Sequence, residues 1–268
     1  METETHGKRL VIVTGANGAV GKSYIEHFLQ KKDTTCIAIS RGFMETKAIH
    51  HKTDLMDPVS TRNVIEKLDL SEFSTVFLIH AVGKFKYEPF NDKMEEKIID
   101  QNVYSSNYQT FINVTVPLVE KFEEEQKKHT KKVLVLCAFG SITDKYKIPY
   151  WYSYSYSKDA LREYIKSLAH SDRRCSFIRG RFINVSTTDT GNENLLRPYV
   201  DEEEKKYWLK PLTVVEESLE SLDNIVTSWH EIDIFVNLPG FCPKEYYGDN
   251  EKIKEKWLRQ TGYVETKN

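Results

Sequence analysis

Short apolar runs separated by longer amphipathic stretches recur along this chain, and their period alternates between that of a strand and that of a helix. Residues 9–14 (RLVIVT), 35–40 (TCIAIS), 75–80 (TVFLIH) and 133–138 (VLVLCA) are mainly apolar and rich in β-branched side chains. Strands buried on both faces need that composition. Residues 49–53, 176–180 and 232–237 continue the strand series. Helical periods lie between them. Residues 22–31 place Tyr24, Ile25, Phe28 and Leu29 near one face, and residues 60–70 do the same with Val64, Ile65 and Leu68. A long helical region from about Glu95 to Lys128 should be interrupted or kinked by Pro117. Helices are also predicted over 153–170 and 213–230. Strands alternating with helices predict a doubly wound α/β fold, a parallel sheet covered on both faces. No repeat or low-complexity linker divides the chain, so a single domain over residues 1–268 is expected. Two segments stand apart: the polar stretch 187–211, which is either a mobile lid or an ordinary surface loop, and the charged tail 243–268.

Composition narrows the classes without naming one. The chain has 268 residues, 40% of them hydrophobic, enough for a sizeable core. Its 38 basic and 40 acidic residues leave a net charge of -2, which excludes strong attraction to nucleic acid or to an acidic membrane surface. Cys36, Cys137, Cys175 and Cys242 form no CxxC pair, and the first three lie in or beside apolar runs. They are expected to be reduced core thiols. The histidines form no ligand pattern, and no metal is expected. The first residues lack the apolar stretch of a signal peptide, and no run approaches the roughly 18–20 apolar residues that cross a bilayer. A cytoplasmic location follows as an expectation.

The first turn carries the first chemical signal. Gly15, Asn17, Gly18, Ala19, Val20 and Gly21 join a strand to a helix with GxxGxxG spacing. Glycines allow a tight turn and a close backbone approach, and the helix N-terminus offers free N–H groups and a positive dipole end to a pyrophosphate. This points to a dinucleotide and to a Rossmann-type sheet. The second strand ends in Ser40-Arg41 with no acidic residue. An acid there would bind the ribose 2′-OH of NAD, whereas an arginine can pair with the 2′-phosphate of NADP, so NADP is favoured over NAD. Asp54-Leu55 after the third strand and His80-Ala81-Val82-Gly83 after the fourth should reach the same cleft. A second signal is the Tyr154/Lys158 pair, a YxxxK spacing that puts both on one helix face. An ammonium beside a phenol favours the phenolate and lowers its pKa, making the tyrosine a candidate general acid/base.

Taken together, TGANGAVG at 14–21, IHAVG at 79–83, Asn102, Ser141 and Tyr154/Lys158 resemble the short-chain dehydrogenase/reductase family in order and approximate spacing, over nearly the whole chain. The resemblance implies that Tyr154 is the general acid/base. Lys158 would bind the nicotinamide ribose and tune the tyrosine, and Ser141 would hydrogen-bond the substrate oxygen. Asn102 would hold a water in a proton relay to Lys158. Ser141 lies thirteen positions before Tyr154, and Pro149 falls where the family often has proline. Counting from the start of the strand puts Ala138 or Phe139 near the serine's place instead. The same resemblance has Gly15, Gly18 and Gly21 cradle the pyrophosphate, Asp54 touch the adenine, and the backbone at Ile183 and Asn184 meet the carboxamide. Gly180 stands in the family's PG motif after the sixth strand, which reads Arg179-Gly180 here, and NNAG reads His80-Ala81-Val82-Gly83.

The function implied is an NAD(P)(H)-dependent oxidoreductase moving a hydride between the nicotinamide and a carbonyl or alcohol. The alternatives are a non-catalytic NADP-binding sensor or scaffold, and an epimerase or lyase using the same Tyr/Lys pair. The expected partners are a small-molecule substrate and, from the family's habit, further copies of the chain as a dimer or tetramer. Tyr150, Trp151, Tyr152 and the 187–211 stretch would line the substrate pocket, and Arg181, Arg197 and Lys210 suit a polar, even phosphorylated or sugar-like compound.

Overall fold

The apolar runs pair as predicted. In the computed structural model, which describes residues 7–88, 98–128, 132–146, 148, 151–236 and 248–262, seven strands form one all-parallel sheet. They are β1 Arg9–Thr14, β2 Thr34–Ser40, β3 Ile49–Lys52, β4 Thr75–His80, β5 Val133–Ser141, β6 Ile178–Val185 and β7 Trp229–Ile234. Their order is β3-β2-β1-β4-β5-β6-β7, so the sequence reverses direction beside β1. Ligands of open α/β sheets bind at such a switch point, outside the carboxyl ends of the strands. Pro149, Tyr150, Asn237, Cys242 and the tail outside 248–262 lie outside the described residues, as does Glu95.

Two cores follow from the alternation of side chains on the strands. Leu10, Ile12, Leu78, Leu134 and Leu136 meet α2 (Pro58–Glu66), α4 (Thr110–Lys128) and α6 (Tyr152–His170) through Ile65, Phe111, Leu118, Phe122 and Leu161. On the other face Val11, Val13, Phe77 and Val135 meet α1 (Ala19–Phe28) and α9 (Pro211–Asp223) through Tyr24, Ile25, Val214 and Leu222. The remaining helices are α3 (Gln101–Tyr104), α5 (Ile142–Lys145), α7 (Asn192–Leu196), α8 (Glu202–Lys205) and α10 (Asn250–Thr261). Among the described residues, no helix is long and apolar enough to cross a membrane.

Several expected boundaries move. The 95–128 helix opens at an Asp100 cap, and a π-turn at Ser105–Gln109 separates α3 from α4. Pro117 sits inside α4 without ending it. The strand expected at 176–180 runs from Ile178 to Val185, so Gly180 lies near its start and packs under Trp229 and Ile165. The last strand begins at Trp229, because α9 ends at Asp223. Cys36 and Cys137 are buried thiols as expected, whereas Cys175 is exposed in the turn before β6.

Candidate active site

The β1–α1 turn forms one end of a trough along the carboxyl edge of the sheet. Gly15 has φ +70°, and a Cβ there would stand 2.5 Å from the Ala81 carbonyl oxygen, so this position needs glycine twice over. Gly18 caps α1 without any side-chain cap, and no acidic residue occupies the helix's first turn. The first N–H groups of α1 are therefore left for a ligand. A cavity of about 720 Å³ runs from this turn past Ser40, Arg41, Asp54 and Leu55 to Ala81, Val82 and Gly83. A second, of about 410 Å³, shares Asn17, Gly18 and Ala81–Gly83 with it and adds Ala19 and Val20. It continues to Gly140, Ser141, Tyr154 and Lys158. The two make one continuous groove, charged by Arg41 at one end and by Lys158 near the other.

Tyr154 and Lys158 lie one helical turn apart on α6, with the Lys158 ammonium 5.3 Å from the centre of the Tyr154 ring. Lys158 is almost wholly buried, and burial pulls its pKa down to about 8 against an opposing pull from Asp144. Burial pushes the Tyr154 phenol above its ordinary value, Asp144 and Glu193 push it further, and a hydrogen bond with Ser141 opposes them. The lowered tyrosine pKa expected from YxxxK is therefore absent. Desolvation is the largest influence on both groups: it raises the phenol and lowers the ammonium. Ser141 ends β5 and caps α5, accepting the Thr143 N–H at 3.3 Å. Of the alternatives counted from the strand start, Ala138 is sealed in the core, while Phe139 lines the groove with an apolar ring.

Other expected site residues are elsewhere. Asn102 is exposed in the first turn of α3 and lines neither cavity. The buried amide is Asn107, in the π-turn: its Nδ2 donates to the Lys84 and Val103 carbonyls at 2.6 and 2.8 Å, and its Oδ1 accepts the Lys84 N–H at 3.0 Å. A Cβ on Gly83 would lie 3.8 Å from Asn107 Oδ1 and 4.0 Å from Lys158 Nζ, so the three groups meet. His80 turns into the core, with Nδ1 2.7 Å from Thr14 Oγ1 and Nε2 3.2 Å from Thr110 Oγ1. Burial drives its pKa down to about 3, so it is neutral, and it lines neither cavity. Gly21 packs against Gly15, while Gly180 and Ile183 are interior. Because β6 is longer than expected, the groove is met by Val185, Ser186 and Thr187 rather than by Ile183 and Asn184. Asn184 instead bonds Glu231 and Asp233 at 2.8 and 2.9 Å.

The substrate end is also differently furnished. Arg197 does line it, but the guanidinium is buried and already engaged by Glu193, Gln260 and Thr187 at 2.9–3.1 Å. Arg181 is sealed in the interior, bonded to carbonyls of Ser221 and Thr227. Neither guanidinium is free for a phosphate. Trp151 lines the pocket as expected; Phe85 and Trp257 join it, with ring centres 5.6 and 5.1 Å from that of Trp151. Trp257 comes from α10 and was not anticipated. Its signal was in the sequence: Ile253, Trp257 and Gln260 form a buried stripe in an otherwise charged helix.

Residues 9–201 match the family model described as short chain dehydrogenase. A search of curated proteins finds no match. Among solved structures, the chain is similar to Thermoplasma acidophilum aldohexose dehydrogenase in ligand-free form, at TM-score 0.69 and 18% identity over 88% of this chain and 96% of that one. It is similar to a 4-hydroxyisoleucine dehydrogenase complexed with NADH, at 0.63 and 19% over 88% and 100%. A short chain dehydrogenase from Burkholderia cenocepacia in complex with NADP gives 0.66 and 14% over 94% and 98%. At these identities the likeness to the solved structures is one of fold.

Proposed function

Because this chain belongs to the short-chain dehydrogenase family, we propose that it is an oxidoreductase using a nicotinamide dinucleotide to reduce a carbonyl or oxidise the corresponding alcohol. The observation that carries the reading is the meeting of Tyr154, Lys158 and Ser141 at the end of a groove that begins at an uncapped helix N-terminus. The groove fits a dinucleotide: free N–H groups and Gly18 at the pyrophosphate position, Asp54 and Arg41 toward the adenosine end, Val185–Thr187 toward the nicotinamide end. When bound, the cofactor supplies or accepts the hydride.

The chain's own residues handle the proton and the substrate oxygen. Tyr154 holds a proton on its phenol oxygen, and its raised pKa keeps that proton in place near neutral pH. In reduction that proton passes to the carbonyl oxygen, and in oxidation the phenolate takes it back. The Ser141 hydroxyl donates a hydrogen bond to the same oxygen. Lys158 binds the cofactor ribose, and Asn107 holds the Gly83–Lys84 backbone beside it. The NADH and NADP complexes among the structural neighbours support a nicotinamide cofactor without choosing between the two. Arg41 in the adenosine-end cavity supports NADP. Chain 187–211 acts as the substrate lid. The partly exposed tyrosines of α3 and α6, with Tyr104 and Tyr156 ring centres 5.8 Å apart, support self-association. Sedimentation of a monomer at all concentrations would overturn that last point.

The deciding experiment follows NADPH oxidation over a panel of carbonyl compounds in wild type and Tyr154→Phe. Loss of general acid catalysis should cut kcat by about 10²–10⁴-fold. Equal turnover in the two proteins would overturn the reading. Arg41→Ala should weaken NADPH binding about ten- to a hundredfold by fluorescence titration, as loss of a hydrogen bond to a charged group does, while leaving NADH unchanged.

A further inference from the structure

Asp144 is a fully buried carboxyl group that acts electrostatically on both Tyr154 and Lys158. Burial raises its pKa above the ordinary value, and the Arg162 guanidinium and the Ser141 N–H oppose that shift in favour of the carboxylate. One of its oxygens accepts the Ser141 N–H at 2.6 Å, closing a capping box with the serine hydroxyl. The other accepts a short hydrogen bond from Arg162 Nη2. Arg162 follows Lys158 by four residues and Tyr154 by eight, so all three stand on one face of α6. Its guanidinium is held by Asp159 at 2.6 Å, Glu231 at 3.1 Å and Asn184 at 3.3 Å, and lies 4.7 Å from the centre of the Phe182 ring. The arginine is thus fixed from β6, β7 and α6 at once. Through it, the turn bearing Ser141 is fixed to the helix bearing Tyr154 and Lys158. A buried carboxylate is costly to keep unless it is well paired, and packing alone would be served by an apolar side chain of similar size.

We propose that Asp144 is a positioning residue: anchored by Arg162, it sets the Ser141 hydroxyl against Tyr154 and places a fixed negative charge beside the Tyr154–Lys158 pair. The inference rests on the reading of Tyr154 and Ser141 as the reacting groups. Its electrostatic half has a defined sign. Asp144 favours the protonated form of both Lys158 and Tyr154, so it keeps the lysine charged against its own desolvation. Among the described residues, the other titratable groups around the pair include Glu193 on α7, which acts in the same direction on Tyr154, Arg197, which neutralises Glu193, and His80 on β4, which burial and Lys158 keep neutral.

Asp144→Asn retains an oxygen for the Ser141 N–H and removes the charge; Arg162 keeps Asp159 and Glu231. Asp144→Glu retains the charge and displaces the turn. Both are compared with wild type by NMR of protein labelled with [ε-¹³C]lysine, the Lys158 signal being assigned by its loss in Lys158→Gln. The Lys158 midpoint should fall by about one pH unit in Asp144→Asn and stay put in Asp144→Glu. The high-pH limb of kcat should move down by a similar interval in Asp144→Asn. In Asp144→Glu, kcat should drop about tenfold at unchanged cofactor KM. A folded Asp144→Asn with an unmoved Lys158 midpoint overturns the proposal, as does full kcat in a folded Asp144→Glu. Should Asp144→Asn not fold, the Asp144→Glu kcat decides. The midpoint needs no turnover, so a moved midpoint combined with full activity of Tyr154→Phe would overturn the functional reading and leave the Asp144 charge effect standing.

Discussion

Asn107 and Asn102 are separated by little more than one helical turn, yet one is buried with three hydrogen bonds and the other is exposed. Asn107→Leu should therefore destabilise the fold by about 2 kcal/mol, because it removes all three hydrogen bonds of a wholly buried amide. Asn102→Ala should stay within about 0.5 kcal/mol of wild type. Chemical denaturation of the two variants checks the contrast, and equal stabilities would contradict it. The difference also explains what was legible at this scale. Tyr154 and Lys158 could be read because a four-residue spacing fixes their common face in any α-helix. Asn107 could not, because the π-turn at Ser105–Gln109 inserts a residue and rotates every later side chain, and nothing in the local composition announces such a turn. His80 was misread for a related reason. A histidine at the end of a strand points to the cleft or to the core according to its parity in the pleat, and here Thr14 and Thr110 receive it inside.

At the level of elements, His80 joins β1, β4 and α4 through those two hydroxyls and packs edge-on against Phe111 at 5.1 Å. Its native pKa of about 3 lies below the ordinary histidine value of 6.5. The unfolded chain therefore binds a proton that the folded chain does not over that interval. The resulting stability is complete above pH 6.5 and is lost as pH falls from there toward 3, by about 1.4 kcal/mol per pH unit. His80→Gln, which cannot be protonated, should flatten the slope of unfolding free energy against pH in this window; an unchanged slope would show that His80 does not carry it. The elements themselves were largely legible. β1, β4 and β5 are buried on both faces, so their apolar runs gave start points directly. β6 instead runs five residues past Gly180, through Arg181 and Asn184. Their polar groups are satisfied inside by carbonyls and carboxylates, which only the tertiary structure supplies.

Across the whole molecule, the surprise is that the charged C-terminal stretch helps to line the cavity that holds Tyr154 and Lys158. α10 places Trp257 against Trp151, and its Gln260 reaches three parts of the 187–211 segment. Gln260 Oε1 accepts from Arg197 at 3.1 Å, its carbonyl accepts the Tyr199 N–H at 3.1 Å, and its Nε2 donates to Glu204 at 2.8 Å. Lys256 adds a 2.9 Å ion pair to the same Glu204. Composition shows only a charged tail, because charge is summed around a helix, whereas docking depends on the one stripe that faces inward. The stretch 187–211 is accordingly tied down at its middle by α10. Gln260→Ala removes the side-chain bonds to Arg197 and Glu204 and leaves the sheet untouched. Hydrogen exchange at residues 193–209 should then quicken by about tenfold, the factor expected for about 1.4 kcal/mol of lost local stability, while exchange in β1, β4 and β5 keeps its wild-type rate. Uniform acceleration across both regions would mean that α10 supports global stability rather than this segment alone, and unchanged exchange at 193–209 would mean that the bonds through Gln260 do not hold the segment in place.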